Sequence, residues 1–194
     1  YQAGALVITP GPWAPEALAA LNLPLVVARQ VVFWFNPPDG TAPFAVGRFP
    51  IYIWEPSGKL PFYGFPALDG ADGGVKVAIH GGGAACTPNV VDRAIHMDEV
   101  DQMRQYLARY LPTLNGPLLA AQTCMYTNTP DGHFVIAHHP AHRNVAIAAG
   151  FSGHGFKFAP VVGEILADLV QDGVTRHPIA LFSPDRFAAQ TRPR

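Results

Sequence analysis

The chain has 194 residues, 49% of them hydrophobic, enough to bury a sizeable core in one domain with an appendage. Only 14% are charged and the net charge is −1, which excludes electrostatic attachment to nucleic acid or to an anionic membrane. No apolar run approaches ~20 residues, so no segment is expected to span a bilayer. The two cysteines, Cys86 and Cys124, make no disulfide framework, and the cytoplasm is the default compartment.

In chain order, Ala5 to Thr9 reads as a short strand and Pro15 to Leu21 as a short helix with proline near its start. Val26 to Phe35 alternates, with aromatic and β-branched residues, as a long strand. Phe44 to Glu55 and Lys59 to Pro66 form a predicted hairpin around Pro56-Ser57-Gly58, and Val75 to His80 is a further strand. Gly81 to His96 is a glycine- and proline-rich loop. A helix begins at Asp98, places Val100, Met103, Leu107, Tyr110 and Leu111 on one face, and ends before Pro112. Strands follow at Leu118 to Met125, Phe134 to His138 and Val145 to Ala149, then a helix from Phe156 to Gln171. Strands early and flanking helices predict an α+β fold with a largely antiparallel sheet.

The richest stretch is Asn144 to Asp172. An apolar strand runs into Gly150-Phe-Ser-Gly-His-Gly-Phe-Lys157 and then into an amphipathic helix. Glycines at 150, 153 and 155 let the backbone turn sharply and approach a flat ligand. The helix aims its unpaired N–H groups and positive dipole end at the same place, so the ligand should carry electron-rich oxygens or developing negative charge. Lys157, expected in the first helical turn, opposes that dipole and is misplaced for stability alone. Upstream, Gln122 to Asp131 carries Cys124 at the end of a strand and Tyr126 beside it. Lys76 interrupts the apolar strand Val75, Val77, Ile79; alternation alone allows an outward-facing lysine, yet Lys76, Ala78 and His80 share one face. Histidines at 133, 138, 139 and 142 invite a metal, but their spacing matches no common zinc pattern, and no metal is expected.

CMYTNTPD at Cys124 to Asp131 and NVAIAAGFSGHGFKFAPVVGEILADL at Asn144 to Leu169 resemble the carboxyl-terminal half of the monomeric sarcosine oxidase and N-methyltryptophan oxidase family of flavoprotein amine oxidases. RQVVFWF at Arg29, FYGFP at Phe62 and GVKVAIH at Gly74 extend the likeness over nearly the whole chain. The G-x-G-x-x-G turn that holds the FAD pyrophosphate in that family is not among these residues; Gly81-Gly-Gly83 opens no helical pattern.

The resemblance implies three segments: residues 1–24 as the end of a dinucleotide-binding domain, 25–120 as a substrate domain, and 121–194 as flavin-contacting strands with the carboxyl-terminal helix. It implies FAD held covalently through Cys124, with Met125, Tyr126, Gly153, His154, Gly155, Phe156 and Lys157 around it. Lys76, His80 and Lys157 are the implied catalytic residues, with Lys76 stabilising the anion formed as O2 is reduced. Tyr63, Tyr126, His80 and Lys157 are the implied substrate contacts, Lys157 holding a carboxylate. The implied reaction oxidises the secondary amine of a small N-methyl amino acid by hydride transfer to flavin, with O2 giving hydrogen peroxide. It requires an amino-terminal FAD-binding half, in the same gene or as a separate chain. Two other readings stay open: a non-catalytic fragment or partner-binding subunit, and a dehydrogenase passing electrons to another subunit.

Overall fold

The computed structural model describes residues 2–70 and 72–190, and contacts divide the chain into two units. One comprises residues 29–84 and 91–124; the other comprises 1–28, 85–90 and 125–194.

Strands β2 (Val26–Phe35), β3 (Tyr52–Trp54), β4 (Phe62–Gly64), β5 (Val75–Ile79) and β6 (Leu118–Asn128) form a sheet in the order β3-β4-β5-β2-β6, most of whose residues belong to the first unit. The pairs β2–β5, β3–β4 and β4–β5 are antiparallel. Period-2 alternation turns Phe33, Phe35, Val75 and Val77 to one face, where they pack with Val100, Met103 and Leu107 of helix α2 (Met97–Tyr110). Glu99 accepts from the His96 backbone N–H at 3.0 Å in a capping box, and the same carboxylate pairs with Arg29 on β2.

The second unit is built on β1 (Leu6–Ile8), β7 (Val135–His139) and β8 (His142–Ala149) in the order β1-β8-β7, with β1 parallel and β7 antiparallel to β8. Ala146 and Ala148 face Val162, Ile165, Leu166 and Leu169 of helix α3 (Ala159–Asp172). Ile147 and Ala149 face Ala14 of helix α1 (Ala14–Ala17), Leu18, Leu25 and Phe187. With both faces covered, the end of β8 is apolar at every position, as strands buried on both faces are. Gly173 in the left-handed conformation, φ 77°, ends α3.

The architecture is α+β with mostly antiparallel pairing, as expected, and β2 spans the expected residues. Several elements differ. The predicted hairpin shrinks to β3 and β4, and Phe44 lies in a 3-10 turn, Ala42–Phe44. Pro50, Pro61 and Pro66 offer no N–H to a ladder and confine pairing to three residues a side. The helix expected over 15–21 is two short turns about α1, ending at Asn22 with φ 48°. The α2 face buries Tyr106, while Tyr110 and Leu111 are only partly buried. Strand β6 continues to Asn128, so Cys124 and Tyr126 lie inside it instead of at its end. Among the described residues, no helix is long and apolar enough to cross a membrane.

Candidate functional site

Parallel strands β1 and β8 end side by side at Ile8 and Ala149, and α3 begins ten residues after β8. Around these ends lies a cavity of about 550 Å³, lined by Gly11, Met125, Tyr126, Gly150, Ser152, Gly153, Gly155, Phe156 and the first turns of α3, among others. Open α/β folds bind ligands at this place, beyond the carboxyl ends of parallel strands and against a helix N-terminus. A Cβ on Gly153, φ 77°, would stand 2.3 Å from the Tyr126 ring, so only glycine lets the turn lie against that tyrosine. The Ser152 N–H donates to the Thr127 carbonyl at 2.9 Å, tying the turn to the end of β6.

His154 and Lys157 belong to this turn but do not line the cavity. The His154 ring packs on Phe134 at 4.9 Å, and its Nδ1 lies 3.0 Å from the Ser152 carbonyl. A carbonyl only accepts, so the proton sits on Nδ1, and donation from Nε2 requires the imidazolium. Lys157 lies in a 3-10 turn, Phe156–Phe158, one residue before the N-cap of α3 and not in its first turn as the sequence predicts. The Phe158 N–H closes on the Gly155 carbonyl at 2.9 Å, and Pro160 sets the start of α3 just beyond. Lys157 Nζ stands 5.3 Å over the Phe158 ring, and Phe156 is 95% exposed.

In the other unit, the sheet face opposite α2 carries the remaining candidates. Lys76 pairs with Trp34 and Tyr63 with Ala78 in the β-ladders, which puts Lys76, Ala78 and Tyr63 on one face. Lys76 Nζ lies over the rings of Trp34, at 5.3 Å, and Phe65, at 5.4 Å. Aromatic faces hold an ammonium by their quadrupole without a counter-charge, which keeps its positive field available. The Tyr63 and His80 rings meet edge to face at 6.2 Å. On β6, Thr123 is buried and donates to the Arg93 carbonyl, so alternation turns Cys124 to the other face, where it is exposed.

Trp34 and Phe65, neither of them a candidate from sequence, thus hold the lysine; finding them requires the β-ladder register. Tyr52 packs edge-on between Phe49 and Phe62, and burial raises its phenol above the ordinary range. Among the described residues, one trio, Glu164, Asp168 and His177, brings three metal-ligand atoms within 4.8 Å of one another. Its carboxylates already accept from Arg176 and Thr175, and the histidines of 133–142 form no such group.

A family model described as FAD dependent oxidoreductase matches residues 1–169. The chain is 55% identical over 190 residues to the monomeric sarcosine oxidase of Streptomyces avermitilis, covering 97% of this chain and 50% of that protein. It is 41% identical over 192 residues to the monomeric sarcosine oxidase of Bacillus sp. (strain NS-129), covering 97% and 49%. The crystal structure of L-proline dehydrogenase from P. horikoshii superposes with a TM-score of 0.76 at 26% identity, over 96% of this chain and 47% of that one. The chain spans about half the length of the curated relatives it matches. The match over residues 1–169 places the chain in the FAD dependent oxidoreductase family.

Proposed function

We propose that this chain supplies flavin-facing and substrate-facing residues of an FAD-dependent amine oxidase acting on the secondary amine of a small N-methyl amino acid. The observation that carries this reading is the glycine turn before α3, packed against Tyr126 beyond the ends of β1 and β8. A flat ring that takes on negative charge suits it: an apolar cavity, backbone without Cβ atoms, and a helix N-terminus that favours negative charge. FAD, when bound, takes up a hydride from the carbon next to nitrogen and passes its electrons to O2, giving an imine that water hydrolyses and hydrogen peroxide. The pyrophosphate needs a glycine-rich βα turn of the G-x-G-x-x-G kind, so the reading includes an amino-terminal FAD-binding half, in the same gene or a separate chain. Within it, 1–24 is the end of the dinucleotide-binding domain, 25–120 the substrate domain and 121–194 the flavin-contacting segment.

Each residue then has a task. Cys124 carries the flavin covalently, for which its exposed place on β6 suits it. The backbone N–H groups of Gly155 and Phe156, with His154 beside them, favour negative charge on the ring. Met125 and Tyr126 wall the cavity. Lys76 supplies the positive field in which oxygen is reduced, and Tyr63 and His80 shape the substrate pocket. Lys157 pairs with the substrate carboxylate, which a long cation on an exposed turn is free to reach.

The covalent link tests the reading. Acid-precipitated holoenzyme should stay yellow, and Cys124→Ser should release the colour into the supernatant. Cys86→Ser should leave it bound, since Cys86 is half-buried and its N–H is tied to the Val27 carbonyl at 2.8 Å. Wild-type protein that sheds its flavin in acid rejects covalent attachment, and protein that takes up no flavin rejects the reading as a whole.

A further inference from the structure

The turn that frames the cavity holds four left-handed or close-approach positions, and three of them are glycine: 150, 153 and 155. The fourth is Ser152, a non-glycine residue at φ 50°. Glycine would adopt that conformation without the steric cost a Cβ imposes, so the serine side chain must return something. Its hydroxyl shows what. The Thr129 N–H donates to Ser152 Oγ at 3.2 Å, and Ser152 Oγ lies 3.1 Å from the Gly150 carbonyl, an acceptor, to which its own proton goes. The Thr129 hydroxyl donates to the His133 carbonyl at 2.8 Å, so the two hydroxyls, 3.3 Å apart, both have their protons committed elsewhere.

The His133 carbonyl also accepts from Arg186 Nη2 at 2.8 Å. Arg186 forks onto Asp131, with Nε to Oδ2 at 2.7 Å and Nη2 to Oδ1 at 3.3 Å, and its guanidinium lies 4.1 Å over the ring of Phe187, which is buried in the core. A continuous chain of hydrogen bonds therefore runs from the carboxyl-terminal segment through the Thr129–His133 turn to Ser152. Thr129 is itself 7% exposed, and its methyl would stand 2.6 Å from a Cβ on Gly150.

We propose that Ser152 and Thr129 are positioning residues that fix the Gly150–Phe156 turn toward the flavin, and that Arg186 anchors them from the carboxyl-terminal segment. This rests on the flavin reading above. None of the three is assigned a contact with flavin or substrate; they act through the backbone N–H groups that follow Ser152.

Two measurements separate the claims. Hydrogen exchange on the full chain reads the turn, whether or not flavin is bound. Sulfite binding to the holoenzyme, followed by flavin absorbance, reads how well the turn stabilises negative charge on the ring, which a purely structural role would not move. Ser152→Gly and Thr129→Val should each speed exchange at residues 150–156 and raise the sulfite dissociation constant, both by roughly tenfold, one hydrogen bond's worth. Arg186→Met, farther along the chain of bonds, should do the same by about threefold. Thr129→Ser keeps the hydroxyl and should restore both. Unchanged exchange in Ser152→Gly and Arg186→Met overturns the relay. Faster exchange with unchanged sulfite affinity overturns the positioning role. A Thr129→Ser variant as impaired as Thr129→Val shows that the hydroxyl is not the carrier. A wild type that binds no flavin rejects the functional reading instead, and exchange still decides the relay.

Discussion

The glycine turn at 150–155 and the sheet face around Lys76 are built by opposite means. In the turn, side chains are withheld: Cβ atoms are missing where Tyr126 and Thr129 approach, and what is presented is backbone N–H and a helix N-terminus. On the sheet face, the backbone is consumed by the β-ladder, and what is presented is a side-chain charge on an aromatic bed, Lys76 over Trp34 and Phe65. Backbone donors are fixed by φ and ψ and, short of a change to proline, are misplaced by mutation and not lost. A side-chain charge can be removed outright with the ladder intact. Adding an atom should therefore damage the first region, and removing one the second.

The sharpest test is Lys76→Met. It should leave the fold and anaerobic reduction by substrate nearly untouched and slow reoxidation by O2 by about two orders of magnitude, the scale of one lost contact to a developing anion. Stopped-flow mixing of the reduced holoenzyme with oxygen measures it. Reoxidation at the wild-type rate removes Lys76 from the oxygen chemistry and breaks the contrast.

Gly153→Ala is the complementary test. A left-handed conformation costs an L-residue about 1–2 kcal/mol, and the new Cβ also forces the Tyr126 ring to move. The midpoint of urea unfolding should fall accordingly. Gly163→Ala, inside α3 and with open space around its Cβ, should instead gain up to about 1 kcal/mol of helix propensity and raise the midpoint. If both alanines behave alike, the turn at 153 is not held by the geometry described.

How far these regions were legible in the sequence follows from the same difference. A single strand or helix face shows in its own periodicity: β2 ran over the expected residues, and Val100, Met103 and Leu107 were on the buried face of α2. The long motifs at Cys124 and Gly150 carried the site's family likeness. What depended on pairing between distant residues did not show. Trp34 under Lys76 requires the ladder register, and Ser152 on Thr129 joins residues 23 apart. Alternation over 44–66 also hides the prolines' effect: Pro50, Pro61 and Pro66 cut the hairpin to three-residue strands. The apolar pattern beginning at Phe156 predicts a helix that includes Lys157, but the tight bond from Phe158 to Gly155 delays the α-helix to Ala159.

The smallest predicted effect uses acid to separate the two regions. Asp131 supports the glycine turn at one remove, and the Arg186 guanidinium forked onto it holds its carboxyl well below the usual carboxylate range, helped by the His133 N–H and opposed by partial burial. A carboxyl depressed in the folded state contributes stability above its unfolded value, ~3.9, and loses it as pH falls through the folded value. The pair is about one-third exposed on the Asp131 side, so solvent screening limits the effect to at most ~1 kcal/mol. Between pH 6 and pH 3, then, exchange at residues 150–156, corrected for its intrinsic pH dependence, should accelerate modestly, while residues 75–79, held by the β-ladder and an apolar core, should keep their protection. Asp131→Asn carries no charge to lose, so its turn should be looser at pH 6 and its pH dependence over this window flatter. A turn as acid-sensitive in Asp131→Asn as in wild type would mean that the ion pair with Arg186 is not what couples pH to the glycine turn.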